Sequence, residues 1–299
     1  FRGTRPGRYA PPAMNEWVLV NDEMLPAAEA KISVFDAGLL QGVGLFETLL
    51  AHNGAVFRAE QHARRLVASA RKLGWSVLPE VEHLVTAARR VVEAGRGGEQ
   101  RVRLTVTTGS LRAPQGDDVP ELTLIASASA GGRYPAELYA KGVTVVISDA
   151  RQGDFDPLAG HKTTSYFARL ATLRQAHGRG AFEALWLTLD EQVAEGAISN
   201  VFVVRKGELL TAPLDTPVLP GVARGAVIEA AAALGVPVRE RPVELQELLE
   251  ADEVFLTNVM IGLMPVVRAE RVAIGNEKPG ELTQRLLERW IGQVGQECG

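Results

Sequence analysis

The chain has 299 residues, 46% of them hydrophobic and 23% charged, with a formal net charge of −4, so it can bury a substantial core as one or two domains and shows no basic run suited to nucleic acid. Its single cysteine, Cys298, excludes an intramolecular disulfide and a cysteine metal cluster, and its five histidines lack the spacing of metal ligands. Since no apolar run is long enough to span a membrane, we expect a cytoplasmic protein without a bound metal, and without nucleic acid or a membrane as partner.

Residues 1–13 are predicted to be a flexible leader that lies outside the fold. They are basic, rich in proline and glycine, and precede Met14. They contain no hydrophobic segment like that of a signal peptide, and terminal segments of this kind are rarely ordered. We therefore expect the folded part to begin at Met14.

Residues 14–130 are predicted to form an N-terminal α/β domain. Its predicted elements, in chain order, are strands at 17–20, at 32–35 and from Leu45, helices at 58–74 and 80–95, and paired strands at 101–108 and 121–126. Alternation places Val102, Leu104 and Val106 on one face of their strand. The glycines before Leu45 let the chain bend tightly there, but no third glycine opens a helix, so they are not a dinucleotide-binding fingerprint.

Residues 131–137 are predicted to be an interdomain linker because they combine glycine and proline. Residues 138–299 then form a C-terminal α/β domain. Its predicted elements are strands at 142–148, 185–189, 193–195, 201–204 and 209–211, a helix after Lys162, a helix that ends near Gly235, a buried strand from Glu253 into a polar turn, and an amphipathic helix at 279–297.

The stretch Gly160–Tyr166 contains the strongest chemical signal in the chain, which is Lys162. Lysine occurs at only six positions, and this one lies among small and hydroxylated residues where a loop enters a predicted helix. A partly desolvated lysine can lose its proton near neutral pH and attack a carbonyl to form a Schiff base. The alternative is a solvated lysine beside a helix N-terminus, since most lysines are exposed.

A second motif follows about thirty residues downstream, where Glu195 begins the stretch Glu-Gly-Ala-Ile-Ser-Asn-Val-Phe after a predicted hairpin. With the Lys162 stretch and Gly-x-Gly-x-Phe-Glu-Thr at 42–48, the chain resembles the class IV aminotransferases from about residue 17 to residue 267. These are the fold-type-IV pyridoxal-phosphate enzymes. The resemblance implies a two-domain α/β fold like that of D-amino-acid aminotransferases, pyridoxal 5'-phosphate in the interdomain cleft, a small-molecule amino substrate and a homodimer.

The resemblance also implies roles for individual residues around the cofactor ring. Lys162 is the catalytic residue that carries the cofactor, and Tyr166 belongs to the cofactor-binding set. Glu195 pairs with the pyridine nitrogen. A carboxylate in that place keeps the nitrogen protonated, and the protonated ring is the electron sink that stabilises a carbanion.

The resemblance implies that one ligand of the cofactor phosphate lies on the helix predicted at 58–74. The pattern His-x-x-Arg-Leu at 62–66 implies Arg65 as the phosphate ligand. Arg64 points about 100° away by the helical period. A solvated arginine on a charged helix is the alternative.

Two turns complete the phosphate site that the resemblance implies. A Pro-Gly bend that feeds a helix presents free backbone N–H groups, which form an anion site, and this implies Val222 and Ala223. Ala223 stands where the family usually has a threonine, so one hydroxyl ligand is missing. The polar turn after the Glu253 strand implies Asn258 and Val259.

The reaction is less well determined than the family. A structural or binding protein would leave the set of Lys162, Glu195 and Arg65 without a role. Leu39 stands where the family's transaminases usually have an aromatic residue, and the stretches 162–166 and 257–266 resemble 4-amino-4-deoxychorismate lyases. We therefore favour the lyase, which forms p-aminobenzoate and pyruvate, over an amino-acid transaminase that acts on branched-chain or D-amino acids.

The polar loop 109–118 supplies one candidate substrate contact. In the family this loop overhangs the substrate, which makes Arg112 a candidate ligand of a substrate carboxylate. A mobile loop arginine with no such role is an equally good interpretation of the sequence.

Overall fold

The computed structural model describes residues 14–95, 97–111, 121–131 and 134–299. Its strands are β1 Met14–Val20, β2 Glu23–Pro26, β3 Gly44–His52, β4 Ala55–Val56, β5 Gln100–Thr107, β6 Thr123–Ala130, β7 Val143–Gln152, β8 Glu183–Thr188, β9 Val193–Gly196, β10 Asn200–Arg205, β11 Glu208–Thr211, β12 Val238–Glu240, β13 Glu253–Asn258, β14 Gly262–Ala269 and β15 Val272–Ala273. Its helices are α1 Ala37–Leu40, α2 Ala59–Lys72, α3 Val81–Glu93, α4 Ala136–Lys141, α5 Phe167–Gly178, α6 Val222–Ala233, α7 Leu245–Leu249 and α8 Glu281–Glu297.

The first sheet has the strand order β2-β1-β6-β5-β3-β4, and its paired neighbours run antiparallel. One face packs against α2 and α3 because alternate residues of the strands are apolar, as Val102, Leu104 and Val106 are on β5. The intervening residues Arg101 and Arg103 point to the opposite face. That opposite face lines the cavity described below.

The second sheet has the order β12-β11-β10-β13-β14-β7-β8-β9, with β15 paired to β14. It is mixed, because β7 runs parallel to both β8 and β14. Both faces are buried: Val254 and Leu256 of β13 belong to one apolar cluster, and Phe255 between them belongs to the cluster under α6 and α8. This alternation explains why β13 reads as a continuous apolar run.

The strand predicted at 32–35 is wrong. The hairpin partner of β1 is instead β2, which follows it directly. Residues 32–35 run through a loop and a turn into Asp36, the N-cap of α1, and Val34 is 65% exposed. An apolar run becomes a strand only where it pairs along a neighbouring strand, and residues 32–35 form no such ladder.

The remaining predicted elements occur in the structure within a few residues of their expected bounds, and α4 begins inside the linker predicted at 131–137. The leader predicted at 1–13 and linker residues 132–133 lie outside the described residues.

The segment between β7 and α5 joins the two sheets. Its Lys162 carbonyl accepts a hydrogen bond from Phe46 N at 2.8 Å, and its Thr164 N donates to the Gly44 carbonyl at 2.8 Å. A side chain at Gly44 would meet the Thr164 hydroxyl at 2.9 Å, so a glycine is needed for this approach. The Lys162 backbone is thereby fixed against the first residues of β3.

Candidate active site

A cavity of about 720 Å³ lies between the two sheets. All eight predicted site residues in the described part of the chain line it, namely Arg65, Lys162, Tyr166, Glu195, Val222, Ala223, Asn258 and Val259. They come from separate stretches of the sequence, and the fold brings them to one space. Arg112 lies outside the described residues.

Lys162 is half-buried, and its amine lies over two aromatic rings. Nζ is 4.5 Å from the ring centroid of Phe46 and 5.6 Å from that of Tyr166. Burial lowers the pKa of Lys162 to about 8; Glu47 and Glu195 oppose the shift, whereas Arg65 and Arg103 reinforce it. At neutral pH a fraction of the Lys162 amines is therefore unprotonated and nucleophilic.

Glu195 is buried near the end of β9, and its carboxylate accepts hydrogen bonds from four donors. Oε1 accepts from Arg169 Nη2 at 2.7 Å and from Gln152 Nε2 at 3.3 Å, and Oε2 accepts from Leu219 N at 3.0 Å and Asn200 Nδ2 at 3.5 Å. The two contacts at 3.3 and 3.5 Å are long for hydrogen bonds. The carboxylate therefore keeps acceptor capacity for a donor inside the cavity.

Tyr166 lines the cavity beside Lys162. Its hydroxyl donates to the Ala197 carbonyl at 3.1 Å, and its ring meets that of Phe46 edge-on at 5.2 Å. Burial raises the pKa of Tyr166 to about 12. The phenol is therefore a neutral hydrogen-bonding group throughout the physiological range.

Arg65 faces the cavity from α2. Nε and Nη2 donate to the two oxygens of Glu47 at 2.8 and 2.5 Å, and Nη1 donates to the Pro220 carbonyl at 3.0 Å. Its side chain is 11% exposed, whereas that of Arg64 is 67% exposed and pairs with Glu60 one helical turn earlier. The two neighbouring arginines thus occupy different faces of α2, and of the two only Arg65 reaches the cavity.

The N-terminus of α6 forms a candidate anion site at the end of the cavity that holds Arg65. Gly221 caps this helix without a side-chain hydrogen bond, and the first N–H groups of a helix have no intrahelical acceptor. Thr257 lines the same cavity, and its Oγ1 is buried and has no hydrogen-bond partner among the described residues. An unpaired buried hydroxyl is costly, so an acceptor such as a phosphate oxygen suits this position.

Asn258 and Val259 shape the cavity in different ways. The Asn258 carboxamide accepts from Met260 N and Ile261 N at 2.9 and 3.0 Å and donates to the Ile198 carbonyl at 3.1 Å. Val259 is buried and packs in the cluster beneath α6. The Asn258 side chain therefore fixes the turn in which both residues lie.

Several cavity residues were not singled out from the sequence. Arg169, Thr257 and Arg103 are examples. Arg169 lies one helical turn after Tyr166 and stacks on Trp186 with its guanidinium carbon 4.7 Å from the ring centroid. The helical period from Tyr166 was the available signal for Arg169, whereas the other two needed the pairing of strands.

Two negative findings hold for the described residues. No group of three or more histidine, cysteine or acidic side chains is arranged to hold a metal ion there. No helix in the same residues combines the length and apolarity needed to cross a bilayer.

The sequence and the fold are similar to those of known enzymes. The family model for amino-transferase class IV matches residues 44–269. The D-alanine aminotransferase of Listeria monocytogenes is 30% identical over 287 residues, which cover 94% of this chain and 97% of that protein.

Two solved structures show the same likeness in three dimensions. The branched-chain amino acid aminotransferase of Escherichia coli has a TM-score of 0.86 at 27% identity, and the match covers 95% of this chain and 96% of that one. The T.th. branched-chain amino acid aminotransferase with pyridoxamine 5'-phosphate has a TM-score of 0.86 at 27% identity and 94% coverage of each chain. The similarity therefore spans both sheets and the cavity between them.

Proposed function

The chain belongs to the class IV aminotransferase family, and from this premise we propose that it is an amino-acid transaminase that uses pyridoxal 5'-phosphate. The observation that carries the proposal is the cavity, where the Lys162 amine, the Glu195 carboxylate and the α6 anion site share one space. The relatives reported above are named for D-alanine or branched-chain amino acids. They support the transaminase better than the lyase that the sequence favoured.

The residues present fit the proposed cofactor. Arg65, the first N–H groups of α6 and the unpaired Thr257 hydroxyl would hold its phosphate, and together they make up for the hydroxyl missing at Ala223. Lys162 would hold its carbonyl carbon, and Glu195 would accept a hydrogen bond from its ring nitrogen. When bound, the cofactor supplies an electron sink for charge at the substrate carbon.

The protein's own groups then perform the proton transfers. The Lys162 amine, whose pKa is lowered to about 8, takes the proton from the amine-bearing carbon of the substrate and can return it elsewhere. Glu195 stays buried beside Arg169, which holds the carboxylate in place and balances its charge. The aromatic rings of Phe46 and Tyr166 cover part of the surface around the amine.

Arg103 is the described residue best placed to bind a substrate carboxylate. It lies on the cavity face of β5, stacks on Phe46 with its guanidinium carbon 3.5 Å from the ring centroid, and donates a hydrogen bond to Thr105 Oγ1. Burial lowers the pKa of Arg103 to about 10, so the side chain remains a cation at neutral pH. A substrate carboxylate would neutralise the positive charge of Arg103 at this wall of the cavity.

The transaminase is tested with the purified protein and pyridoxal 5'-phosphate. We expect many turnovers with L-leucine or D-alanine when 2-oxoglutarate is present, and at most one equivalent of amino acid converted per site without the oxo acid. Aminodeoxychorismate alone is the matched control. Sustained release of p-aminobenzoate and pyruvate without an oxo acid would overturn the transaminase in favour of the lyase.

The role of Lys162 is tested by Lys162→Ala. We expect turnover to fall by about 10³-fold or more, because the amine acts both as nucleophile and as proton carrier. Borohydride reduction followed by peptide mass analysis should label Lys162 in the wild-type protein. A borohydride-stable adduct on another lysine in the variant would contradict the assignment.

We also propose that the chain forms a homodimer through an exposed apolar surface. The segment 33–43 and the neighbouring Leu111 and Phe167 expose apolar surface; Leu39 is 60% and Phe167 79% exposed, and Leu111 N donates to the Phe35 carbonyl. Exposed patches of this kind mark association surfaces. Light scattering should give a dimer, and the paired change Leu39→Glu with Leu40→Glu should give a monomer; a monomeric wild type would exclude it.

A further inference from the structure

Glu183, the first residue of β8, is a fully buried carboxylate outside the set of predicted site residues. Its Oε1 accepts from Ile198 N at 2.6 Å and its Oε2 accepts from Ser199 Oγ at 2.9 Å. Both donors are neutral groups. No arginine or lysine in the described part of the chain forms an ion pair with Glu183. A buried carboxylate without an ion-pair partner is expensive, so its retention here calls for a role.

The turn formed by Gly196, Ala197, Ile198 and Ser199 rests on this carboxylate. A side chain at Gly196 would lie 2.6 Å from Glu183 Oε1, so only glycine lets the turn approach so closely. All four residues of the turn line the cavity. Glu183 therefore supports one wall of the active site from behind.

The same turn anchors three side chains of the cavity. The Gly196 carbonyl accepts from Arg169 Nη1, the Ala197 carbonyl from the Tyr166 hydroxyl and the Ile198 carbonyl from Asn258 Nδ2, each at 3.1 Å. A shift of the turn would move these donors together. The position of Glu183 is thereby transmitted to the groups that surround the cavity.

The chemistry of the two hydrogen bonds makes them unequal. A peptide N–H can only donate, so Oε1 must stay an acceptor for Ile198 whatever the charge of the carboxyl group. A serine hydroxyl can donate or accept. A proton bound by Glu183 is therefore best placed on Oε2, because Ser199 Oγ can accept it whereas the Ile198 N–H cannot, and the serine hydrogen is then released to turn elsewhere.

We propose that Glu183 is a positioning residue of this site: it holds the Gly196–Ser199 turn, and the gain of one proton reverses the Ser199 hydroxyl from a donor to Glu183 into a donor toward the cavity. The activity readout of this inference rests on the proposed transaminase, whereas the structural readouts do not. Ser199 is only 7% exposed, and among the described residues its hydroxyl donates to Glu183 alone.

The surroundings of Glu183 allow both states near neutral pH. Burial raises the pKa of Glu183 to about 7; the Ile198 N–H, the Ser199 hydroxyl and Arg169 lower it, and Glu195 raises it. Tyr166 also faces the group from the segment before α5. From the other neighbouring strand, β7, the residue in register is the apolar Val145.

The variant Glu183→Gln isolates the proposed reversal. Its carboxamide oxygen can accept from Ile198 N while its NH₂ donates to Ser199, so it fixes the arrangement of the protonated carboxyl with the same shape. Glu82→Gln, a change on the outer face of α3, is the matched control. Ser199→Ala removes the hydroxyl but leaves Glu183 free to titrate.

Two measurements on the full chain need no activity assay: one follows the protonation of Glu183, and the other follows its support of the turn. Infrared difference spectra should show a protonated carboxyl band that titrates near pH 7 in the wild type and Glu82→Gln and that is lost in Glu183→Gln. In Ser199→Ala the band should persist and titrate at a higher pH, because the variant lacks the hydroxyl that lowers the pKa of Glu183. Amide exchange at Ile198 should stay slow in Glu183→Gln and rise about tenfold in Glu183→Ala, which lacks the acceptor. No such band, or unchanged exchange in Glu183→Ala, would overturn the proposal.

The holoenzyme tests the reversal itself. The pH profile of kcat/KM should contain an ionisation near pH 7 in the wild type and Glu82→Gln. Both Glu183→Gln and Ser199→Ala should lack it. An identical profile in all four proteins would refute the reversal, whereas a holoenzyme without transaminase activity would refute the proposed function and leave the spectroscopic tests to decide on Glu183.

Discussion

Glu47 and Glu183 are both almost fully buried carboxylates, one in each sheet and each behind a wall of the same cavity, yet they have opposite surroundings. Glu47 receives two hydrogen bonds from the Arg65 guanidinium and one from His62. Glu183 receives one from a peptide N–H and one from a serine hydroxyl. Burial alone raises the pKa of both; Arg65 and His62 outweigh it and lower that of Glu47 to about 2, whereas that of Glu183 rises to about 7.

The difference shows that depth of burial does not set the charge of a site; the partner does. Near Arg65 the negative charge of Glu47 is permanent, which keeps the guanidinium fixed at this wall of the cavity. His62 donates from Nδ1 to this permanent carboxylate, and burial lowers the pKa of His62 so that the ring is neutral. Near Glu183 the charge varies with pH.

Removal of the cation from Glu47 should have the largest effect. Arg65→Ala should cost about 3–5 kcal/mol of unfolding free energy, because it leaves a buried carboxylate unpaired, and it should weaken cofactor binding by about ten- to hundredfold. Urea denaturation and cofactor titration measure the two effects.

The neighbouring arginine gives the control. Arg64→Ala should change the unfolding free energy by no more than about 0.5 kcal/mol, since its ion pair with Glu60 is exposed. Equal losses in both variants would remove the distinction between the two faces of α2.

The variable charge of Glu183 should appear in the pH dependence of the stability of Glu183→Gln. The folded protein binds the Glu183 proton more tightly than the unfolded chain, so the wild type loses stability as pH rises from about 4.5 to about 7. The variant lacks this loss, and its stability relative to wild type should grow by up to about 3 kcal/mol over that window. Urea denaturation at about pH 5 and about pH 8 measures it; a difference that is the same at both pH values would show that Glu183 titrates normally.

The smallest expected effect concerns Thr257, a buried polar group with no hydrogen-bond partner in the described residues. Thr257→Val should leave the stability of the apoprotein unchanged or raise it by about 1 kcal/mol, because it removes an unsatisfied hydroxyl. It should raise the dissociation constant of the cofactor about fivefold. A fall in apoprotein stability together with unchanged cofactor binding would place the hydroxyl in a structural role.

The family and the α/β fold with two sheets were predictable from sequence, because the Lys162 and Glu195 stretches are local patterns with a fixed order. The predicted family is confirmed by the matches over residues 44–269 and over most of the chain. The order of the strands was not predictable from local pattern, and the strand expected at 32–35 failed for that reason. Its apolar side chains are exposed and pair with no neighbouring strand of the described residues.

The hydrogen-bond and packing partners of the site residues were also not predictable from the sequence. Glu47 belongs to the motif Gly-x-Gly-x-Phe-Glu-Thr, but its bond to Arg65 depends on the packing of α2 against β3. Thr257 comes beside Asn200 only through the register of β13 with β10. Glu183 depends on the fold of the turn at 196–199. The sequence therefore predicts which residue types a site contains better than which groups hold them.

Two backbone hydrogen bonds tie the Lys162 segment to the start of β3, so the lysine belongs mechanically to the first sheet although the chain assigns it to the second half. Glu195, by contrast, is a residue of the second sheet. A rotation of one sheet against the other would carry the amine along with Phe46 and Arg65 as a rigid unit. Such a motion would change the distance between the amine and the carboxylate, and a crosslink between the sheets would fix that distance without touching either group.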